Sequence, residues 1–177
     1  AVIRLAKPWI GEDEQRAVAA VLESGQLVQG ALVERFEQAV AALVGRKYAV
    51  AVSSGTAALQ LALKVLSIGP GDEVLCPALS WPSPAHAVRV AGAKVQFVDV
   101  DADEWNSTEE ALRAARTGET KAAIVIDQFG NPARAAAIRE ALGALPIIED
   151  AACALGSHFA NGPCGSLGKI SCLSFHP

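Results

Sequence analysis

Charge is sparse in this 177-residue sequence, and neither sign of charge is gathered into a block. Charged residues make up 19% of the chain, and 15 Lys or Arg against 19 Asp or Glu leave a formal net charge of -4. Proteins that bind nucleic acid or a membrane surface usually carry a basic patch or stripe. The sequence shows none, so it argues against both partners and favours a small-molecule role.

Long apolar runs are absent as well. No run reaches the ~18 residues that a membrane-spanning helix needs, and the first 14 residues lack the apolar segment of a signal peptide. We therefore expect a cytoplasmic protein. C-x-x-C pairs are also missing, which favours reduced, mostly buried thiols over disulfides or a zinc site. The four cysteines are Cys76, Cys153, Cys164 and Cys172, and no metal site is predicted.

Apolar residues are plentiful, at 51% of the chain, enough to bury a substantial core. From residue 47 onward, short β-rich runs alternate with Ala/Leu-rich stretches, a pattern typical of βαβ units. We therefore predict an α/β fold with a mostly parallel sheet. The predicted strands are 48–52, 73–76, 94–98, 122–126, 146–149 and 170–175, and the predicted intervening helices are 56–66, 82–91, 108–116 and 133–142.

The segment before the first predicted strand is helical by its apolar spacing. Residues 12–24 and 32–44 carry apolar side chains at helical intervals, and a glycine-containing turn at 25–30 separates them. Residues 1–46 are therefore predicted to form an N-terminal helical arm. Residues 47–177 are predicted to be the N-terminal part of a larger domain, because no closing helix follows the last strand.

A strand, a small-residue turn and a helix start follow one another over residues 49–59. The free N–H groups of a helix N-terminus, its dipole and the hydroxyls of Ser54 and Thr56 could together hold a phosphate. Ordinary N-capping by either hydroxyl is the alternative. Neither a dinucleotide fingerprint nor a nucleophile elbow fits this turn, since Val52 stands where the elbow would need glycine.

Three further residues lie at or just past the carboxyl ends of predicted strands, the edge where open parallel sheets bind ligands. Asp150 could pair with a protonated ring nitrogen, or it could cap a helix. Trp81 could stack on a flat heterocycle, although tryptophans also fill cores and interfaces. Ser174 could supply a second hydroxyl to a phosphate.

In their order along the chain, these pieces resemble the sugar-nucleotide aminotransferase family (DegT/StrS type) of fold-type I pyridoxal-phosphate (PLP) enzymes. The matching segments cover nearly the whole chain. They are VSSGTAALQLAL (52–63), IGPGDEVLCPALSW (68–81), GAKVQFVDVD (92–101), FGNPA (129–133), IIEDAA (147–152) and GSLGKISCLSFHP (165–177). The resemblance implies a three-layer large domain, incomplete at its C-terminus, whose C-terminal small domain is absent.

The resemblance also implies roles for individual residues. The PLP phosphate would contact Ser54, Gly55, Thr56 and Ser174, the ring would stack on Trp81, and Asp150 would pair with its nitrogen. Cys153 stands where many members carry Gln or His near the PLP hydroxyl, and its thiol is a poorer hydrogen-bonding group. Asp127 replaces a His common in the family and is assigned no role.

The lysine that forms the Schiff base in this family would fall two positions beyond Pro177. None of the lysines present matches that position: Lys7, Lys47, Lys64, Lys94, Lys121 and Lys169. The expected reaction is transfer of an amino group from an amino acid such as glutamate to a keto-sugar nucleotide.

Two alternatives remain open from the sequence. A pyridoxamine-phosphate-dependent dehydratase of the same family would have histidine in place of the lysine. A non-catalytic fragment or subunit would supply only part of a site, and truncation of a longer chain is favoured over a natural half-protein. Family members are homodimers, so self-association is expected, and the turn at 25–30 is a candidate for approaching substrate.

Overall fold

The computed structural model describes residues 8–160 and 162–176. The first seven residues of the predicted arm, Lys7 among them, and Pro177 lie outside the described residues. Within the described residues, no helix is long and apolar enough to cross a membrane.

Five parallel strands form the central sheet, in the order β2-β1-β3-β4-β7. Their bounds are β1 Glu73–Pro77, β2 Lys94–Val98, β3 Thr120–Ile126, β4 Ile147–Asp150 and β7 Ile170–Cys172. The chain passes from β1 outward to β2 and then returns to the other side of β1 for β3. This reversal of strand order opens a crevice at the carboxyl edge of the sheet, where such folds bind ligands.

Helices cover both faces of the sheet. On one face, α3 (Gly55–Val65) and α4 (Ser83–Val90) pack against the sheet through a buried cluster that includes Leu63, Val88 and Ile148. On the other face, α5 (Glu109–Ala115) and α6 (Ala135–Leu142) bury Leu112 and Ile138 against the sheet. The predicted α/β class and three-layer arrangement are confirmed.

The N-terminal helices match their predicted limits closely. Helix α1 spans Glu12–Ser24 and has no buried residue, whereas α2, Ala31–Leu43, buries Val40 and Ala41. Gly25 ends α1 in the left-handed region with φ 67°, which a residue with a Cβ adopts at a cost.

Two predicted strands differ from the structure. Residues 48–52 are not a strand; the Ala51 N–H instead donates to Oε1 of Glu37 in α2, at 2.7 Å. The last strand ends at Cys172 rather than at residue 175. A local preference for extended backbone makes a strand only where a neighbouring strand supplies hydrogen-bond partners.

A small antiparallel pair was not predicted. It joins β5, His158–Phe159, to β6, Gly162–Pro163. Strands of two residues are too short to show alternation in the sequence.

Candidate cofactor site

The predicted site residues gather at the carboxyl edge of the sheet. Asp150 is the last residue of β4, Trp81 follows β1, and Ser174 follows β7. The N-terminus of α3 reaches the same edge, because Gly55 lies against Ser174. The edge therefore joins segments that are more than 100 residues apart in the chain.

At the start of α3, capping and a free anion-binding position coexist. Oγ of Ser54 accepts from the N–H of Ala57 at 3.1 Å, which is the ordinary N-cap bond. The first intrahelical bond runs from the N–H of Ala58 to the carbonyl of Ser54. The N–H groups of Gly55 and Thr56 precede that bond, so the helix itself offers them no acceptor.

Close packing explains the glycine at the start of this helix. A Cβ on Gly55 would lie 3.1 Å from the Cβ of Ser174 and 3.4 Å from its Oγ. The glycine thus lets the segment after β7 approach the helix N-terminus. Oγ of Ser174 also accepts from the N–H of His176, at 3.3 Å.

Thr56 makes a contact that the sequence did not predict. Its Oγ1 lies 2.7 Å from Oγ of Ser83, the first residue of α4. The pair ties the helix that begins with Gly55 to the segment that carries Trp81. No local pattern identifies Ser83, because its partner is 27 residues away.

Asp150 is a buried carboxyl at the end of its strand. Only 7% of the residue is exposed, and burial raises its pKa to about 6, although the N–H of Ala152 donates to Oδ1 and opposes the shift. Burial raises the pKa of the thiols of Cys76 and Cys172 to about 12, and the charge of Asp150 adds to both shifts. The carboxyl is therefore flanked by neutral thiols, and within residues 8–160 and 162–176 no cation forms an ion pair with it, so a cationic group beside it would be stabilised.

Trp81 and Cys153 are both exposed. The indole residue is 79% accessible, so it fills no core, and Cys153 is exposed while the other three cysteines are buried. In the described part of the chain, no hydrogen bond joins either residue to Asp150 or to the start of α3. Their assigned roles stay predictions.

A second carboxyl cluster lies on the opposite face of the sheet. Ligand atoms of Asp127, Glu149 and Cys164 lie within 4.8 Å of one another, the spacing that a metal ion would require. Oδ1 of Asp127 accepts from the N–H of Ala133 at 2.9 Å, whereas its buried Oδ2 has no hydrogen-bond partner. Burial raises the pKa of Asp127 to about 7, and neighbouring Glu149 adds to that shift. Protonation of Asp127 would remove the repulsion between its carboxylate and that of Glu149.

Glu149 organises the loop that precedes β7. Its carboxylate accepts four hydrogen bonds from that loop and strand, at 2.5 to 3.0 Å. The donors are the N–H groups of Gly165, Leu167 and Gly168 and the hydroxyl of Ser171. A charged acceptor strengthens each of these bonds.

Arg46 holds the same loop by donating hydrogen bonds to the loop's carbonyl groups. Its guanidinium donates to the carbonyls of Gly165 and Gly168 and to Oγ of Ser171. Arg46 and Glu149 together thus fix the loop that leads into β7 and on to Ser174. No local sequence pattern predicts this arrangement; only the closely spaced glycines at 165 and 168 indicate a tight turn.

Comparison with known proteins gives one family. The family model described as the DegT/DnrJ/EryC1/StrS aminotransferase family matches residues 8–177. A Streptococcus pneumoniae protein assigned as a sugar aminotransferase, Spr1654, is 29% identical in its PMP form, with a TM-score of 0.93 over 98% of this chain and 48% of that chain. The same protein has also been solved in a PLP form.

Two further solved structures are similar. The aminotransferase TlmJ from Streptoalloteichus hindustanus is 35% identical, with a TM-score of 0.93 over 99% of this chain and 49% of that chain. DesV from S. venezuelae, solved in complex with a ketimine intermediate, is 36% identical, with a TM-score of 0.88 over 92% of this chain and 44% of that chain. This chain spans about half the length of these structures.

Proposed function

Since this chain belongs to the DegT/DnrJ/EryC1/StrS aminotransferase family, we propose that it supplies most of the cofactor cradle of an aminotransferase. The family uses PLP. The observation that carries the proposal is the meeting of the α3 N-terminus with Ser174 at the sheet edge that also carries Asp150.

The residues present fit the cofactor. The N–H groups of Gly55 and Thr56 face no intrahelical acceptor, and the missing Cβ of Gly55 leaves Ser174 close beside them. An anionic phosphate would be stabilised there by the helix dipole and by hydroxyl donors. Oγ of Ser54 accepts from the N–H of Ala57 and so caps the helix, and its hydroxyl hydrogen stays available to donate to the phosphate.

Asp150 would hold a proton on the ring nitrogen of the cofactor. The bound cofactor supplies an electron-withdrawing ring that stabilises charge developing on the substrate carbon. A cationic ring nitrogen beside Asp150 would favour the ionised carboxylate and bring its pKa below about 6. Trp81 would cover one face of the ring, and Cys153 would lie near the ring hydroxyl and contribute a weak hydrogen bond.

The substrates and the assembly follow from the family. The donor is an amino acid such as glutamate, the acceptor is a keto-sugar nucleotide or a similar keto-sugar, and the protein is a cytoplasmic homodimer. The lysine that moves the proton is the residue expected two positions beyond residue 177. A histidine there would instead indicate the dehydratase reaction.

Spectroscopy of the full-length protein tests the proposal. We expect a PLP absorbance band that shifts on adding glutamate, together with amino transfer to a keto-sugar nucleotide. Asp150→Asn should retain PLP but lower kcat by at least about 100-fold, because a neutral amide cannot keep the ring nitrogen protonated. Asp103→Asn, which changes an exposed aspartate, is the matched control. A full-length protein that neither binds PLP nor transfers an amino group would refute the proposal.

A further inference from the structure

The hydroxyls of Thr56 and Ser83 form a pair whose protons can be counted. Their oxygens lie 2.7 Å apart, and either atom can be the donor. Two hydroxyls carry two hydrogens, and the bond between them uses one. Whichever oxygen donates within the pair, the other hydroxyl keeps one hydrogen for an outside acceptor. The pair thus presents one O–H donor beside the free N–H groups of α3.

The backbone around Ser83 is held firmly. Pro82 precedes it with φ -61°, and Pro84 follows it as the second residue of α4 and is buried. Proline fixes its own φ and also restricts the residue before it. The hydroxyl of Ser83 therefore projects from a segment with little freedom.

The two helices that carry the pair are also packed against each other. Leu59, Ala62 and Leu63 of α3 share a buried cluster with Ala87 and Val88 of α4. Because these contacts set the relation between the helices, the distance between their first turns does not depend on the hydroxyl bond alone. Loss of the Ser83 hydroxyl should leave both helices in place.

We propose that Ser83 is a positioning residue that orients the Thr56 hydroxyl toward the phosphate of the cofactor. This inference rests on the proposed PLP site. With a phosphate bound, Ser83 donates to Oγ1 of Thr56 at 2.7 Å, which leaves the single hydrogen of the Thr56 hydroxyl to point at the phosphate. A donor that is already oriented loses less freedom on binding.

Cofactor titrations of the full-length protein test this role. Ser83→Ala should weaken PLP binding by about 2-fold to 12-fold, the range expected for one hydrogen bond between neutral groups. Pyridoxal, which lacks the phosphate, should bind both proteins equally well. Ser83→Thr keeps the hydroxyl and should restore PLP affinity. Ser24→Ala removes a hydroxyl at the exposed end of α1 and should leave the affinities for PLP and pyridoxal unchanged.

A double-mutant cycle separates the proposal from a general loss of packing. If Ser83 acts through Thr56, Ser83→Ala should have no further effect on PLP affinity in a Thr56→Val background. Equal losses for PLP and pyridoxal, or fully additive effects of the two substitutions, would overturn the positioning role. A wild-type protein that shows no saturable PLP binding would instead refute the proposed function, and the inference with it.

Discussion

Replacing Asp127 with Asn should remove a pH dependence from the stability of the protein. The residue is 1% exposed, and burial is the main cause that raises its pKa from 3.8 to about 7. The folded protein therefore holds a proton on Asp127 that the unfolded chain releases above its ordinary pKa. The stability that this proton contributes is complete below pH 4 and is lost as the pH rises through about 7.

The size of this effect follows from the two pKa values. A rise of this direction in a buried carboxyl corresponds to on the order of a few kcal/mol of unfolding free energy. In Asp127→Asn, the side-chain oxygen can still accept from Ala133, and the amide can donate toward Glu149 without any titration. The variant should be about as stable as wild type near pH 4, where both side chains are neutral, and should exceed it by up to that amount at pH 8.

Urea denaturation of both full-length proteins from pH 4 to pH 8 measures the difference. Subtracting the two curves removes the contributions of other groups, including Asp150, whose pKa burial raises to about 6. Asp103→Asn, at an exposed position, should give a flat difference curve. A flat curve for Asp127→Asn as well would show that Asp127 has the same protonation in the folded and unfolded protein and would refute the raised pKa.

Two further substitutions test the architecture of the site. Gly55→Ala should weaken PLP binding several-fold with little change in thermal stability, because its Cβ would lie 3.1 Å from that of Ser174. Gly118→Ala, where a Cβ meets nothing within 4 Å, is the control. Unchanged PLP affinity of Gly55→Ala would contradict the close approach of Ser174. Glu149→Gln should lower the unfolding free energy by about 2 to 4 kcal/mol, since its amide would face backbone N–H donors. Exposed Glu140→Gln serves as the comparison in urea denaturation, and equal effects of the two would argue against the acceptor role.

The helices and most strands could be predicted because their signals are local. Apolar residues at helical intervals located α1 to within its observed bounds, and short β-rich runs located β1 to β4. Residues 48–52 have the same local character but lie where no strand pairs with them. Their conformation depends instead on Glu37, which accepts the Ala51 N–H.

The candidate site likewise combines positions that have local sequence signals with contacts that have none. Local sequence signals placed Asp150, Trp81 and Ser174 near the carboxyl ends of strands and Gly55 at the start of α3, although they extended the last strand to residue 175 rather than ending it at Cys172. Only the tertiary structure decided the contacts between distant segments: Ser83 against Thr56, Arg46 and Glu149 around the loop before β7, and Asp127 beside Glu149. The physical reason is that hydrogen bonding and burial depend on neighbours in space. The partner of Ser83 is 27 positions away in the chain, and the partners of Arg46 are more than 100 positions away, so the flanking residues indicate neither.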